Sequence, residues 1–323
     1  MYQSKLSVME TEAAIKMIKE TFEENLSGAL NLKRVSAPIL VEGASGINDS
    51  LTGDEDPLSF NHGQANIEIV QSLAKWKRWA LYYYGFKPSK GLYTNMNAIR
   101  PSERLDATHS LYVDQWDWEK TMRKTDRNLD FLRGEVEKIH ASMKATETAL
   151  IKAFPSLKPK LPKTLYFIDS ETLRAKYPGK SPEARETLIV KEKKAVFIER
   201  IGETLPDGTK HDTRSPDYDD WTLNGDLIVW HEENQSALEL SSMGIRVDKE
   251  RLKVQLDHFD HWKTGKFHDL VLSETLPYSI GGGIGQSRFC QFLLEKRHIG
   301  EVQASYWPDT IHEECKNKNI PLL

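Results

Sequence analysis

The residues of this sequence with the clearest chemical meaning lie near its C-terminal end, in the run GGGIGQSR at residues 281–288. Glycine lets backbone N–H groups approach a ligand closely, and the start of the helix-like segment that follows favours a phosphate. The run departs from both common phosphate-binding motifs, because a dinucleotide fingerprint needs glycine where Arg288 stands and a P-loop needs Gly-Lys-Ser/Thr. It therefore indicates a nucleotide contact of another class.

Two strand-like segments carry polar side chains where a sheet core would be apolar. In residues 111–118, alternation places Val113, Gln115 and Asp117 on one face of the strand. An amide beside a carboxylate favours a ligand pocket over a water-exposed sheet face. Glu239 and Ser241 share a face of a second strand with apolar neighbours, where a carboxylate requires a cation or a hydrogen-bond donor.

A helix start and a loop in the first third of the sequence are also rich in charge. Ser72 is the candidate N-cap of a helix whose first turns carry Lys75, Lys77 and Arg78. Cations there oppose the helix dipole, so they need an anionic partner or a solvated face, and we weigh these two alternatives equally. The turn-rich loop at residues 43–53 contains Asp49 and is able to carry function.

The loop at residues 211–221 is dense in charge and has no periodicity. It contains Arg214 and aromatic side chains, which suit either nucleotide contacts or a solvated surface. Further on, His258, His261 and His268 are predicted to be surface residues of a polar helix. Their HxxH spacing alone is too weak to indicate a metal site.

The composition narrows the class of protein. The 323 residues are 39% hydrophobic and 28% charged, with a net charge of -4 and no apolar run of membrane-spanning length. We therefore expect a soluble cytoplasmic protein that works on small molecules, with no nucleic-acid or membrane partner. The two cysteines are too few for a thiolate metal site, and Cys290 is predicted to be a buried thiol.

The periodicity predicts an α+β fold with a central, mostly antiparallel β-sheet flanked by helices, in a single catalytic domain over residues 1–323. Amphipathic helices are predicted at residues 5–26 and 119–154, and about seven strands are expected. The pairs at residues 92–99 with 111–118 and 225–230 with 237–247 are antiparallel. The β-prone run at residues 32–43 contains Pro38, which favours a sheet edge or an interface.

The order of these features resembles the three motifs of class II aminoacyl-tRNA synthetases, with Pro38 in the first, Arg100 in the second and residues 283–288 in the third. Five segments resemble more specifically the aspartate–ammonia ligase family, the ammonia-dependent asparagine synthetases. They are SLAKWKR at 72–78, YVDQWDWE at 112–119, PDYDDW at 216–221, LSSMGIR at 240–246 and IGGGIGQSR at 280–288.

The resemblance implies an AMP-forming reaction in which L-aspartate and ATP give a β-aspartyl-adenylate and pyrophosphate, and ammonia then displaces AMP to give L-asparagine. It also implies Mg²⁺ and a homodimer. By role, the implied residues are catalytic Asp49, Arg100 and Gln115; aspartate-binding Ser72, Lys77, Asp117, Ser241 and Ser242; ATP- or AMP-binding Arg100, Arg214, Tyr218, Gly283, Gly285 and Arg288; and metal-binding Asp226 and Glu239.

Two other classes of function remain as alternatives at this point. A reduced aspartyl- or asparaginyl-tRNA synthetase would need a basic surface for tRNA, which the acidic balance of charge disfavours. A catalytically silent sensor of aspartate or asparagine would be expected to lack motif residues, and those named above are present.

Overall fold

An eight-stranded sheet forms the centre of the computed structural model, which describes residues 2–49, 51 and 55–323. The strands of the described residues are β1 (Leu32–Arg34), β2 (Leu40–Glu42), β3 (Ser59–His62), β4 (Ala65–Ile69), β5 (Gly91–Ile99), β6 (Tyr112–Thr121), β7 (Tyr166–Asp169), β8 (Ala195–Glu199), β9 (Asp219–His231), β10 (Ser236–Arg246) and β11 (Ser279–Gly285). The large sheet has the order β1-β5-β6-β11-β10-β9-β8-β7, and β2-β4-β3 form a small second sheet. In the large sheet the outermost pairs, β1 with β5 and β7 with β8, are parallel, and the pairs between them are antiparallel. The predicted mostly antiparallel α+β fold is confirmed.

Helices cover both faces of the large sheet. Within the described residues they are α1 (Val8–Leu30), α2 (Ala74–Tyr83), α3 (Leu129–Ala153), α4 (Ser170–Lys176), α5 (Pro182–Lys193), α6 (Lys249–Leu256), α7 (Lys266–Leu272), α8 (Gln286–Leu293) and α9 (Asp309–Asn317). The main core lies between α1, α3, α8 and one sheet face, and α2 packs on the opposite face against β5, β6 and β11. None of the described helices combines the length and apolarity needed to cross a membrane.

The helix α1 has the cap and the spacing of apolar residues that are typical of an amphipathic helix. Ser7 and Glu10 form a capping box, in which each residue's side chain accepts a hydrogen bond from the other's backbone N–H. Ile18, Phe22 and Leu26 recur every four residues and are fully buried. The helix ends at Asn31, which adopts a left-handed conformation with φ 59°. The predicted helix at residues 5–26 is therefore correct, with its ends shifted to Val8 and Leu30.

Several predicted boundaries were wrong. The helix predicted over residues 119–154 starts only at Leu129, because β6 continues to Thr121 and Asn128 caps the helix. The N-cap of α2 is Leu73 rather than Ser72, although the Ser72 hydroxyl still accepts from Ala74 N at 3.1 Å. More strands occur than the seven expected, because short strands in turn-rich segments form the small sheet. Part of the predicted loop, residues 50 and 52–53, lies outside the described residues.

The glycine-rich run forms a strand of the large sheet. As β11 it pairs with β10 on one side and with β6 on the other. A Cβ atom at Gly281 would overlap the Glu119 carboxylate and lie 2.7 Å from Arg246 Nη2. Glycine is therefore required here by the close approach of charged neighbours, and on this face of the strand Gly281, Gly283 and Gly285 place no bulky side chain.

The two cysteines of the chain are both buried free thiols. Cys290 is fully buried in α8, as predicted, and burial raises the pKa of its thiol to about 12. A thiol in this state is a poor nucleophile, so Cys290 acts as a small core residue.

Replacing Phe22 with alanine should strongly destabilise the fold, because its ring centroid lies 4.6 Å from that of Trp116 and 5.1 Å from that of Phe289. We expect a loss of about 3–5 kcal/mol in the free energy of unfolding, measured by urea denaturation with far-UV circular dichroism. The matched control is Met9→Ala on the same helix, since Met9 is 76% exposed. Equal losses for the two variants would contradict this description of the core.

Candidate functional site

A cavity of about 480 Å³ opens on the sheet face opposite α1. Alternation along β6 separates the two faces: Trp116 packs on Phe22 of α1, whereas Gln115 and Asp117 line the cavity. The cavity is bordered by the connection between β5 and β6, by β10 and β11, by the start of α2 and by residues 212–215. The pocket expected from the polar strand face is therefore present.

Most of the predicted site residues meet in this cavity. Those that line it are Ser72, Lys77, Arg100, Gln115, Asp117, Arg214, Tyr218, Glu239, Ser242, Gly283, Gly285 and Arg288. Three others lie directly behind its wall. Ser241 donates its hydroxyl hydrogen to Gly283 O at 2.9 Å, Asp226 accepts from Arg214, and Asp49 is buried beside Ser72 and Lys75.

The cations at the start of α2 are buried, so the solvated-face alternative was wrong. Lys77 is 1% exposed and donates to Asp117 Oδ1 and, at 2.8 Å, to Gly282 O. Arg78 donates to the carbonyls of Pro277 and Val247 at 3.1 and 2.7 Å. The anionic partners that the helix start requires therefore come from the sheet and from neighbouring loops.

In the Lys77–Asp117 ion pair, one oxygen of the carboxylate has no hydrogen-bond donor among the described residues. Asp117 Oδ2 is buried and accepts no hydrogen bond from the described residues. A buried carboxylate oxygen without a donor is costly, unless a ligand supplies one. The geometry therefore suits a small cationic group, such as an ammonium, bound at Asp117 in the cavity.

Arg214, which also lines the cavity, lies among a second set of polar and charged side chains. Its guanidinium lies 2.9 Å from Asp212 Oδ2, donates to Ser242 Oγ at 2.9 Å, and contacts Asp226. Burial raises the pKa of Asp226 well above its usual value; Glu239 adds to this and Arg214 opposes it. The other oxygen of Asp226, Oδ1, is buried without a hydrogen-bond partner among the described residues.

The carboxylates of Asp226 and Glu239 lie close enough for Glu239 to raise the pKa of Asp226, and oxygen donors of this kind suit Mg²⁺. Mg²⁺ is commonly held by one or two carboxylates together with phosphate oxygens and water. The described residues contain no group of three or more His, Cys, Asp or Glu side chains able to hold a metal by themselves. The free Oδ1 of Asp226 is consistent with an ion that takes its remaining ligands from a bound phosphate chain.

Two further arginines are held by backbone carbonyls. Arg100 donates from Nε to Gln71 O at 3.3 Å. Arg288 donates to Thr108 O and to Glu239 O, each at 3.2 Å, so it bridges the β5–β6 connection and β10. Arginine suits phosphate oxygens through paired N–H groups, and both side chains line the cavity.

The sequence did not identify a charged network beneath the cavity. Arg246 bridges Glu119, with Nη2 2.6 Å from Oε2, and Asp219, whose Oδ1 lies 2.5 Å from Nη1. Burial raises the pKa of Asp219, and Arg246 opposes this effect. Arg246 and Asp219 line the cavity. The alternation that selected Gln115 and Asp117 continues to Glu119, so the strand pattern contained part of this signal.

His268 was predicted to be on the surface and is instead 1% exposed. Its Nε2 donates to Asp217 Oδ2 at 2.9 Å, and Asp217 also accepts from Lys75 at 3.2 Å. These three residues lie far apart in the sequence, on α7, on a loop and on α2. No local pattern joins them, so only the tertiary structure identifies this cluster.

The fold is that of the class II synthetases. An asparaginyl-tRNA synthetase from Pyrococcus horikoshii, solved in complex with asparaginyl-adenylate, superposes with a TM-score of 0.67 at 16% identity, over 93% of this chain and 70% of that one. An aspartyl-tRNA synthetase from Entamoeba histolytica superposes with a TM-score of 0.63 at 13% identity, over 91% and 57% of the two chains. At these identities the likeness concerns the fold alone.

Sequence comparison is more specific. The model of the Aspartate-ammonia ligase family matches residues 9–319. Proteins named aspartate–ammonia ligase from Bacillus mycoides (strain KBAB4) and Bacillus cereus (strain AH187) are each 52% identical, over 100% of this chain and 100% of theirs. The chain therefore belongs to the aspartate–ammonia ligase family and is an enzyme, as the motifs indicated.

Proposed function

We propose that this enzyme makes L-asparagine from L-aspartate, ammonia and ATP, through a β-aspartyl-adenylate, with release of pyrophosphate and then AMP. The observation that carries the proposal is the cavity itself. It joins Asp117, a buried carboxylate with one oxygen that lacks a hydrogen-bond donor among the described residues, to a set of arginines suited to phosphates. Membership of the family supports the same reaction. The cytoplasmic location and the single catalytic domain stay predictions.

Aspartate would bind at the start of α2 and along β6. The free Oδ2 of Asp117 is the proposed partner of the α-ammonium group, an oppositely charged pair. Lys77 and the Ser72 hydroxyl are the proposed contacts of the substrate carboxylate. Ser241 supports this wall through its bond to Gly283 O, and Ser242 orients Arg214.

The first half-reaction joins a carboxylate oxygen of aspartate to the α-phosphorus of ATP and breaks its bond to pyrophosphate. Negative charge on the phosphates must be stabilised as this happens, which is the proposed role of Arg100 at the α-phosphate. Arg288, Arg214 and Tyr218 are proposed to bind the rest of the nucleotide, with Gly283 and Gly285 leaving room beneath it. Asp226 and Glu239 would hold Mg²⁺, which supplies further neutralisation of phosphate charge when bound.

The second half-reaction needs neutral ammonia, because ammonium has no lone pair. We propose that Asp49 takes a proton from ammonium, after which the nitrogen attacks the acyl carbon. AMP then leaves with the electron pair of the broken bond, and its phosphate takes the second proton that the nitrogen loses to become the amide. Both Asp49 oxygens are buried without a close hydrogen bond, Lys75 Nζ lies 3.5 Å from Oδ1, and burial raises the pKa of the carboxyl against the opposing effects of Lys75 and Ser72. The lack of a close hydrogen bond and the raised pKa both suit a proton acceptor. Gln115 lines the cavity and is proposed to orient the acyl phosphate.

The products of the reaction test the proposal directly. Purified enzyme with aspartate, ATP, Mg²⁺ and ammonium should form asparagine, AMP and pyrophosphate in equal amounts. Chromatography measures the amount of each product. Asparagine formed together with ADP would exclude the adenylate. Transfer of aspartate or asparagine to tRNA in place of asparagine formation would favour the tRNA-charging alternative.

Asp49→Asn should separate the two half-reactions. Aspartate-dependent exchange of pyrophosphate into ATP should persist, whereas asparagine formation should slow about 10²–10⁴-fold, the usual contribution of a general base. Asp56→Asn is the matched control, because the Asp56 side chain is 92% exposed in the same region of the chain. Equal loss of both half-reactions in Asp49→Asn would assign Asp49 to substrate binding alone.

We also propose a symmetric homodimer. Pro38 lies in the segment that resembles the first class II motif. Ile39, which follows Pro38, and Leu40 and Phe60 of the small sheet are 52%, 46% and 48% exposed. Apolar side chains grouped on a surface favour a protein interface. Sedimentation equilibrium should give twice the chain mass of 37.0 kDa, and Phe60→Glu should reduce it to one chain. A 37.0 kDa species for the unaltered protein would contradict the dimer.

A further inference from the structure

A row of buried charged side chains lies behind Asp49. Asp49, Lys75, Asp217 and His268 are 2%, 4%, 0% and 1% exposed. Lys75 Nζ lies 3.5 Å from Asp49 Oδ1 and 3.2 Å from Asp217 Oδ2, so it joins the two carboxylates. None of the four lines the cavity, but Asp49 lies beside Ser72, which does. We therefore expect any effect of Lys75, Asp217 and His268 on the reaction to pass through Asp49.

Asp217 is held in place by four hydrogen-bond donors. Its Oδ1 accepts from Ser215 Oγ at 2.6 Å, and its Oδ2 accepts from Trp262 Nε1 and His268 Nε2 at 2.9 Å each, in addition to Lys75. Burial alone would raise the pKa of Asp217, but Lys75 and the hydrogen bonds outweigh burial and lower it well below its usual range. Asp217 is therefore a permanent negative charge.

The proton on His268 is located by its second hydrogen bond. Gly265 N donates to Nδ1 at 2.9 Å, so Nδ1 carries no hydrogen and Nε2 is the nitrogen that donates to Asp217. Gly46, with φ 66°, packs on Gly265, where an added Cβ would lie 3.2 Å from the Gly265 Cα. The segment that holds His268 thus also contacts the loop that contains Asp49.

Asp49 faces charges of both signs. Burial is the main cause of its raised pKa, and Asp217 adds to it, whereas Lys75 acts in the opposite direction. Tyr218, on the loop that carries Asp217, also faces Asp49: burial raises the pKa of the phenol, and the Asp49 carboxylate adds to this effect. On Lys75, burial is outweighed by the two carboxylates, which raise its pKa and keep it charged.

We propose that Lys75, Asp217 and His268 are positioning residues for the ammonia step, which hold the Asp49 carboxylate in place and balance its charge so that it remains basic. The inference rests on the proposed role of Asp49 as the proton acceptor. Lys75 anchors the carboxylate, and Asp217 offsets the cation, which would otherwise make Asp49 too weak a base. His268 and Trp262 keep Asp217 aimed at Lys75.

Opposite shifts in a pH profile distinguish this role from a structural one. Enzyme-bound adenylate is formed first, ammonium is then added at a fixed total concentration, and the single-turnover rate of asparagine formation is measured across pH. Asp217→Asn should move the acidic limb to lower pH by about one pH unit, and Lys75→Gln should move it to higher pH by about as much. Aspartate-dependent pyrophosphate exchange should stay close to that of the unaltered enzyme in both.

Two controls keep the result interpretable. Glu135→Gln removes a carboxylate that is 2% exposed and pairs with Lys120 at 3.0 Å, and it should leave the profile in place. His268→Gln keeps a donor for Asp217 and an acceptor for Gly265 N, so it should react like the unaltered enzyme, whereas His268→Leu should slow only the ammonia step. Rates are scaled to the amount of adenylate formed, so loss of folded enzyme does not mimic the effect.

The outcomes separate the two levels of the proposal. Suppose that Asp49→Asn blocks asparagine formation, but Asp217→Asn and Lys75→Gln shift the pH profile in the same direction or not at all. The positioning role is then overturned, whereas the proposed role of Asp49 as the base stands. If Asp49→Asn transfers ammonia normally, both the base and its positioning residues are overturned. If Asp217→Asn does not fold, equal rates for His268→Leu and His268→Gln overturn the positioning role.

Discussion

The buried ion pair between Lys77 and Asp117 is the interaction on which the rest of the site depends. It joins α2 to the central strand β6, and its bond to Gly282 O adds β11 to the same point. Removing one partner of a buried pair costs about 3–5 kcal/mol, although the intact pair contributes little net stability. Its value therefore lies in specificity, since it fixes the helix start against the sheet and leaves one carboxylate oxygen for a ligand.

The glycines of β11 leave space for buried charged and polar side chains of the neighbouring strands. Side chains on one face of a sheet normally fill the space above the neighbouring strands, whereas here Glu119 and Arg246 occupy the space above Gly281. At Gly283, a Cβ atom would lie 2.8 Å from the Gln115 amide carbon. Buried ionic groups thus replace an apolar layer on this face, while Trp116 and Trp118 supply a conventional core on the other.

Local patterns predicted the parts of the fold and site that depend on neighbours in sequence. Alternation along β6 separated Gln115 and Asp117 from the tryptophans, and helical spacing located α1. The failures have a common cause. His268 has no local signal of burial, and its partner Asp217 is 51 residues away. The charged start of α2 was equally compatible with solvent until β6 and the loop at residues 212–218 supplied its counter-ions.

Arg288 shows how this fold prepares for a ligand before one arrives. Two of its N–H groups are donated to the carbonyls of Thr108 and Glu239, so the plane of the guanidinium is already fixed. A free arginine side chain loses about 1.5–2 kcal/mol of rotamer entropy when it is ordered. In Arg288 that entropy is lost during folding, so more of the binding energy of the proposed contact with a phosphate would be retained as affinity. Arg288, which stands where a dinucleotide-binding motif needs glycine, is thus an arginine whose side chain is already ordered.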